Sequence, residues 1–184
     1  MSNTSKAANA TIVYESMFGS TRRVADAIAD GLGESLVVSV IPVGDAPRSF
    51  ADVDLLVVGA PTHVHGLSRA STREEARSWG ADPDRHLQLE PDAARAGVRE
   101  WLDGCEQLPS RFVAFDTRAD MTELFSGSAA AAIDKRMGKL GSHRLLEKKS
   151  FLVDKRSYLE PGEVDRAREW GWSIAAALHI LVED

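Results

Sequence analysis

Residues 12–28 read IVYESMFGSTRRVADAI, and this stretch decides the fold. It opens with apolar residues of strand type and passes through a short polar loop. It then continues into a segment whose apolar residues recur at helical spacing. A strand, a tight loop and a helix in direct succession predict one unit of an α/β fold with a parallel sheet.

Four further apolar runs of strand length follow, separated by segments of helical period. The five predicted strands are Thr11 to Glu15, Leu36 to Val43, Val53 to Gly59, Arg111 to Asp116 and Ser150 to Val153. Their near-continuous apolar character, without strict alternation, indicates that helices cover both faces of the sheet. The sequence therefore predicts a three-layer α/β fold with an open, parallel, five-stranded sheet.

The segments between the strands carry apolar stripes at helical spacing. The four stripes are Val24, Ala27, Ile28 and Leu32; Val98, Trp101, Leu102 and Cys105; Ala129, Ile133, Met137 and Leu140; and Val164, Ala167, Gly171, Ile174 and Leu178. Cys105 therefore reads as a packing residue and not as a redox centre. Between the second and third strands, residues 46–51 would fit one or two helical turns.

The stretch from Gly66 to Pro91 is longer than a simple link and contains a helical-looking segment, Thr72 to Trp79. We interpret it as an insertion after the third strand. Because it leaves the carboxyl end of that strand, it should lie beside the crevice in which open α/β sheets bind ligands. Trp79 either packs over a ligand or anchors the insertion, and we favour anchoring because long loops need such contacts.

Composition bounds the class of protein. Of 184 residues, 43% are hydrophobic and 27% are charged, which is typical of a globular domain. We expect a single domain over residues 1–184, with residues 1–10 as a flexible N-terminal tail. The net charge of -6 gives no reason to expect nucleic acid. The basic run from Lys135 to Lys149 is either a solvated helix face or a docking surface for an acidic redox partner.

Cysteine usage and apolar runs indicate the compartment. The single cysteine excludes an internal disulfide, and the first ten residues lack the apolar core of a signal peptide. The longest apolar run, Ile174 to Val182, is too short to cross a bilayer. We therefore expect a cytoplasmic protein without an integral membrane segment.

The loop from Ser16 to Thr21 has the composition of an anion site. It leads into a helix N-terminus, where unpaired backbone N–H groups and the macrodipole favour a negative charge. The hydroxyls of Ser16, Ser20 and Thr21 add donors, and Gly19 permits a tight turn with close backbone approach. The sequence therefore predicts a phosphate-binding loop.

Ordinary helix capping is the alternative explanation for these hydroxyls. Three hydroxyls within six positions exceed what one cap needs. Arg22 and Arg23 also lie in the first helical turn, where cations oppose the dipole, and a bound phosphate would relieve that conflict. The absence of a Walker-A lysine, of Gly-x-Gly-x-x-Gly and of Gly-x-Ser-x-Gly argues against a P-loop NTPase, a dinucleotide site and a serine hydrolase.

The segment resembles the flavodoxin signature at its restricted positions, which are Ile12, Val13, Tyr14, Ser16, Gly19, Thr21, Ala25 and Ile28. The order of strands and helices extends the resemblance over nearly the whole chain. The family implies a sheet ordered 2-1-3-4-5, with FMN at the carboxyl edge of strands one, three and four. Carried over by position, the phosphate would be held by the loop that comprises Ser16, Met17, Phe18, Gly19, Ser20 and Thr21.

The resemblance implies that the loop after the third strand lines one side of the isoalloxazine ring. This loop comprises Pro61, Thr62, His63, Val64, His65 and Gly66. His63 falls where flavodoxins commonly place Trp or Tyr. Val64 replaces a glycine whose peptide can flip, a change that a β-branched residue makes costly. His63 and His65 are alternatively metal ligands, but no Cys or Glu at a standard spacing completes a site, and we predict none.

The resemblance also implies that Asp116, Thr117 and Arg118 contact the pyrimidine edge of the ring. No Trp or Tyr follows the fourth strand to supply a second stacking partner. Arg118 would either reach the N1/O2 edge and stabilise an anionic reduced flavin, or form a surface pair with Asp116 or Asp120.

The resemblance thus implies an FMN flavoprotein that transfers electrons, as a carrier or as a two-electron reductase of quinone-like acceptors. The departures in the two ring loops favour two-electron chemistry. The alternative is a flavodoxin-fold binding or regulatory module that does not hold FMN tightly, which the missing aromatics support. The expected partners are FMN and either a redox protein or a small electron acceptor, and no catalytic residue is assigned.

Overall fold

A computed structural model describes residues 8–63, 66–120 and 127–182. Within these ranges the strands are β1 (Asn9–Tyr14), β2 (Val37–Pro42), β3 (Leu55–Pro61), β4 (Arg111–Ala119), β5 (His143–Arg144) and β6 (Lys149–Val153). The helices are α1 (Ser20–Gly33), α2 (Ala70–Gly80), α3 (Val98–Asp103), α4 (Ala129–Lys139) and α5 (Glu163–Val182). None of the helices in these ranges combines the length and the apolar character that a bilayer span requires.

The strands form one parallel sheet with β3 in the middle. β1 pairs with β2 and β3, and β3 pairs with β4. The other edge of β4 pairs first with β5, at residues 111–112, and then with β6, at residues 115–119. These two strands together occupy the fifth position of the sheet. The predicted α/β fold with strand order 2-1-3-4-5 is confirmed, and its fifth strand is interrupted.

The core lies on both faces of the sheet, as the apolar strands predict. α1 and α5 cover one face with a buried set that includes Val24, Ile28, Leu32, Ile174 and Leu178. α3 and α4 cover the other face with a buried set that includes Val98, Trp101, Leu102, Ile133 and Met137. The helical stripes therefore bury the sides that the sequence predicted, and the carboxyl edge of the sheet is left to the loops.

α1 and α5 approach each other closely at two glycines. A Cβ atom on Gly171 would lie 2.5 Å from the carbonyl oxygen of Ile28. A Cβ atom on Gly31 would overlap the carbonyl oxygen of Arg168. Since real Cβ atoms do not approach backbone this closely, only glycine allows this spacing between the two helices.

The predicted helical turns over residues 46–51 are wrong. A single 3-10 turn, Val43–Asp45, comes before this segment. The chain beyond it is held by backbone hydrogen bonds, from Phe50 N–H to the Gln107 carbonyl at 2.9 Å and from Glu106 N–H to the Arg48 carbonyl at 2.8 Å. Pairing with a distant segment therefore replaces the local hydrogen bonds of a helix.

β4 continues to Ala119, three residues beyond its predicted end at Asp116. Pro61 of β3 pairs with Thr117, and Val153 of β6 pairs with Ala119, so both neighbouring strands extend the ladder. Thr117 and Arg118 therefore lie on a strand and not in a loop. Leu140 also departs from its predicted stripe, since it follows the end of α4 and is 47% exposed.

Candidate functional site

A cavity of about 280 Å³ opens at the carboxyl edge of the sheet. It is lined by three groups of residues that the sequence singled out: Ser16, Met17, Phe18, Ser20 and Thr21; Pro61, Thr62 and His63; and Thr117 and Arg118. Gly19, Gly66 and Asp116 do not line it, and Val64 and His65 lie outside the described residues. Segments far apart in the chain thus meet at one cavity, where an open α/β sheet binds its ligand.

The first turn of α1 offers backbone donors beside this cavity. Gly19 precedes the helix with φ at 91°, a left-handed conformation that suits glycine. Its N–H donates to Ser16 Oγ at 3.1 Å, which closes the loop. The N–H groups of Ser20, Thr21 and Arg22 make no hydrogen bond with any residue that the structure describes, as is usual at a helix start. The geometry suits an anion at this position.

The hydroxyls of Ser20 and Thr21 are engaged within the protein. Ser20 donates to the carbonyl oxygen of Ser157 at 2.6 Å. Thr21 and Thr117 share a hydrogen bond of 2.8 Å between their hydroxyl oxygens. The side chains of Ser20, Thr21 and Thr117 are all buried. These hydroxyls hold the loop in its conformation. The main donors that remain for a ligand are therefore the backbone N–H groups.

The insertion brings a carboxylate to the same loop. Glu90 Oε1 lies 3.3 Å from Arg22 Nη2, and the Glu90 N–H donates to the Met17 carbonyl at 2.8 Å. A Cβ atom on Gly19 would lie 3.1 Å from the same carboxylate oxygen. The conflict between Arg22 and the helix dipole is therefore relieved inside the chain, which weakens that part of the sequence argument for a phosphate.

Asp116 organises the cavity wall from behind. Its side chain is fully buried, and Oδ2 accepts from the hydroxyls of Thr62 at 3.1 Å and Ser128 at 2.6 Å. The same oxygen accepts from the Ala130 N–H at 2.9 Å, at the start of α4. Thr62 Oγ1 in turn accepts from the Ala129 N–H at 2.9 Å. The carboxylate therefore ties the end of β3 to the N-terminus of α4 and fixes Thr62 on the wall.

His63 presents a neutral imidazole to the cavity. Burial lowers its pKa to about 4, and the positive charge of Arg73 contributes to the same shift. The backbone N–H of His63 donates to the Gly66 carbonyl at 2.8 Å, and the backbone N–H of Gly66 donates to the His63 carbonyl at 2.9 Å. No cluster of three or more His, Cys, Asp or Glu side chains that could hold a metal ion occurs in the described ranges.

The insertion forms a further wall. Thr72, Glu75, Ala76 and Trp79 line the cavity at positions i, i+3, i+4 and i+7, so one face of α2 is turned toward it. The insertion therefore lies beside the crevice, as predicted. Contact with a ligand was one of the two alternatives that the sequence left open for Trp79. Thr72, Glu75 and Ala76 were not predicted to line a site, and their spacing relative to Trp79 on the helix is the signal that could have found them.

The loop between β6 and α5 completes the cavity with Val153, Asp154, Lys155 and Ser157. Ser157 has φ at 65°, an uncommon conformation for a residue other than glycine, and its carbonyl accepts from Ser20. Asp154 Oδ1 supports the turn by accepting from the N–H groups of Arg156 at 2.8 Å and Tyr158 at 2.9 Å. No sequence signal marked this loop.

The chain is similar to known proteins in sequence over one segment and in structure over most of its length. Residues 11–73 match the family model of the flavodoxin domain. Flavodoxin 1 from Bacillus cereus is 17% identical over 92% of this chain and 98% of its own, with a TM-score of 0.63. A flavodoxin from Streptococcus pneumonia TIGR4 is 20% identical over 92% of this chain and 99% of its own, with a TM-score of 0.62. No curated protein sequence matches the chain.

The chain is flavodoxin-like. The structural neighbours establish its fold, and the family match falls on the strand, loop and helix that begin the chain's first α/β unit. The resemblance inferred from the signature positions between Ile12 and Ile28 is thereby confirmed.

A buried polar network anchors the insertion of this flavodoxin-like chain. Arg73 donates to Ser68 Oγ at 2.8 Å and to the two carboxylate oxygens of Glu100 at 3.3 and 3.0 Å. Beside it, at the end of β1, the buried Glu15 accepts from the Val98 N–H at 2.8 Å. Burial raises the pKa of Glu15 above its usual value. The network connects α2 and α3 to the strand that leads into the predicted phosphate loop.

Cys105 plays no part in the cavity of the flavodoxin-like chain. It is half-buried, its thiol donates to the Trp101 carbonyl at 3.4 Å, and burial raises its pKa to about 11. A thiol with such a pKa stays protonated near neutral pH and is a poor nucleophile. The geometry agrees with the packing role that the stripe predicted.

The low pKa of His63 predicts an acid-sensitive stability. The folded chain resists a proton that the unfolded chain accepts, so this contribution is present above pH 6.5 and is lost as the pH falls through about 4. We expect wild type to lose more unfolding free energy over this interval than His63→Phe. Urea unfolding at several pH values measures the difference. The exposed His143, replaced by Phe, is the control, and equal pH profiles for wild type and His63→Phe would contradict the prediction.

Proposed function

We propose that the chain is an FMN-binding flavoprotein that takes part in electron transfer. One observation carries the proposal: three segments converge on a single cavity. They are the start of α1 with its backbone donors, the end of β3 and the end of β4. A ligand that combines a phosphate with a flat ring suits such a site, because a helix N-terminus favours the phosphate and the uncharged side chains on the walls, such as Met17, Pro61 and Trp79, favour the ring.

The residues present fit FMN in both parts. The phosphate would be held by the N–H groups of Ser20, Thr21 and Arg22, in the loop from Ser16 to Thr21. The ring system would contact the walls formed by Pro61, Thr62, His63, Thr117 and Arg118. Val64, His65 and Gly66 remain predicted contacts, and Asp116 would act through Thr62. When bound, FMN supplies a ring that accepts and returns electrons.

The charges on the walls support two-electron chemistry with a small acceptor as the finer proposal. Arg118 and Lys155 place positive charges on the wall, Glu75 and Asp154 place negative ones, and His63 is neutral. Such a wall does not surround the ring with negative charge, so it tolerates the negative charge that full reduction brings. We propose a quinone-like acceptor and, because the sequence has a single cysteine, a reducing compartment such as the cytoplasm.

Titration of the apoprotein with FMN, followed by quenching of flavin fluorescence, tests the proposal. We expect saturable quenching in wild type. Thr21→Val should weaken binding about fivefold, because it removes the 2.8 Å hydrogen bond to Thr117 that holds the first turn of α1 against β4. Thr11→Val is the matched control, since Thr11 is buried on β1 and does not line the cavity. Protein that stays colourless and gives no saturable quenching would exclude the proposal.

A binding module that does not hold FMN tightly is the second candidate, and the position of Glu90 favours it. A fixed carboxylate beside Gly19 opposes a phosphate at the start of α1. The titration also separates these functions. A Glu90→Gln variant that binds FMN more tightly than wild type would show a flavin site weakened by this acid, whereas an absence of binding in both would support the module.

A further inference from the structure

We propose that Trp79 of α2 supplies the aromatic surface against the bound flavin ring, which makes the insertion part of the cofactor site. This inference rests on the proposed FMN binding. The loop at residues 61–66 and the segment at residues 116–118 contain neither Trp nor Tyr. A Trp or Tyr that contacts the ring would therefore come from elsewhere in the chain.

The first support is the position of Trp79. Its side chain lines the cavity together with Thr21 from the phosphate loop and His63 from the ring loop. It belongs to the face of α2 that also carries Thr72 and Ala76 toward the cavity. The indole is 36% exposed, so a large part of its surface is available to a ligand.

The second support is that other residues anchor α2. Arg73 is bound by Ser68 and Glu100, and Ala76 is 2% exposed in a small cluster with Met17. Trp79 is absent from the buried cores that the described residues form. Arg73 and Ala76 therefore share the anchoring role that the sequence favoured for Trp79, and the exposed part of Trp79 is left to contact a ligand.

The third support is that the indole is held in place from within the insertion. The guanidinium of Arg85 lies 4.8 Å from the centre of the Trp79 ring, at the distance of a cation–π contact. Arg85 is in turn paired with Asp82 at 3.4 Å. A ring restrained in this way loses little freedom when it contacts a flat ligand, so the contact contributes more to binding.

Three variants and two measurements test the inference. Trp79→Leu keeps an apolar side chain without an aromatic ring, Trp79→Phe keeps a ring, and Trp172→Leu alters an indole that is 44% exposed on α5 and does not line the cavity. FMN affinity comes from flavin fluorescence quenching. The visible circular dichroism of bound FMN reports on contacts to the ring, and a purely structural role of Trp79 would not change it.

We expect Trp79→Leu to weaken FMN binding about tenfold and to change the visible circular dichroism, whereas Trp79→Phe should lose less than about threefold. Trp172→Leu should match wild type in both. Wild-type affinity and an unaltered spectrum for Trp79→Leu would overturn the inference while leaving FMN binding intact. A wild-type chain that does not bind FMN would overturn both proposals.

A third measurement applies if Trp79→Leu does not fold. We expect contact with the flavin to quench the Trp79 indole more strongly than the other three tryptophans, so the wild-type protein should contain a tryptophan population that FMN silences and that Trp79→Phe lacks. Time-resolved tryptophan emission with and without FMN measures this population. An equal silenced fraction in wild type and Trp79→Phe would overturn the inference.

Discussion

We expect Gly171→Val to lower the free energy of unfolding by about 3 kcal/mol, because no side chain fits between α1 and α5 at this point. A Cβ atom at Gly171 would lie 2.5 Å from the Ile28 carbonyl oxygen, 3.0 Å from Gly31 Cα and 3.2 Å from the Leu32 nitrogen. All three are backbone atoms, so no change of rotamer relieves the overlap. The helices must separate, and apolar contacts around Ile28 and Ile174 are lost.

Gly33→Ala is the matched control for this substitution. Gly33 lies in the last turn of α1, and a Cβ atom there meets nothing within 4 Å. Alanine is the better helix former, so we expect this variant to be up to about 1 kcal/mol more stable than wild type. Urea unfolding at constant pH measures both. If Gly171→Val unfolds at the wild-type urea concentration, the close contact between α1 and α5 does not exist.

Asp116→Ala is expected to cost about 3 kcal/mol of stability and to weaken FMN binding as well. The substitution removes a fully buried acceptor from the hydroxyls of Thr62 and Ser128 and from the Ala130 N–H. Buried donors without acceptors are costly, and α4 loses a negative charge at its N-terminus. Thr62, which lines the cavity, loses the partner that fixes its side chain.

Two further variants serve as comparisons for Asp116→Ala. Asp116→Asn keeps an oxygen acceptor in the same shape and should cost clearly less than Asp116→Ala. Asp45→Ala removes an exposed carboxylate that pairs with Arg95, and an exposed surface pair of this kind contributes little to stability. Urea unfolding and FMN titration measure all three proteins. An Asp116→Ala protein as stable as Asp45→Ala would show that the network around Asp116 does not hold the wall.

Local patterns predicted the elements of this fold, because each element shows its period within a few residues. The loop between β1 and α1 is such a case, since a strand, Gly19 and a helix follow one another directly. The order of the strands is a long-range property, and it came from the resemblance to flavodoxins. The structure confirms both.

What the sequence could not predict depends on pairing between distant segments. The extension of β4 to Ala119 needs β6 as a neighbour, and residues 46–51 do not form a helix because residues 48–50 pair with residues 106–107. The cavity has the same origin, since Ser20 bonds to Ser157 and Thr21 bonds to Thr117. None of these partners can be recognised from local composition.

The ion pair between Arg22 and Glu90 makes the insertion and the first helix interdependent. A shortened chain without residues 66–91 would leave Arg22 at the start of α1 without its acidic partner. It would also lose Trp79 and the buried Ala76 from the wall of the cavity. We therefore expect removal of this segment to alter the first turn of α1 and the cavity together.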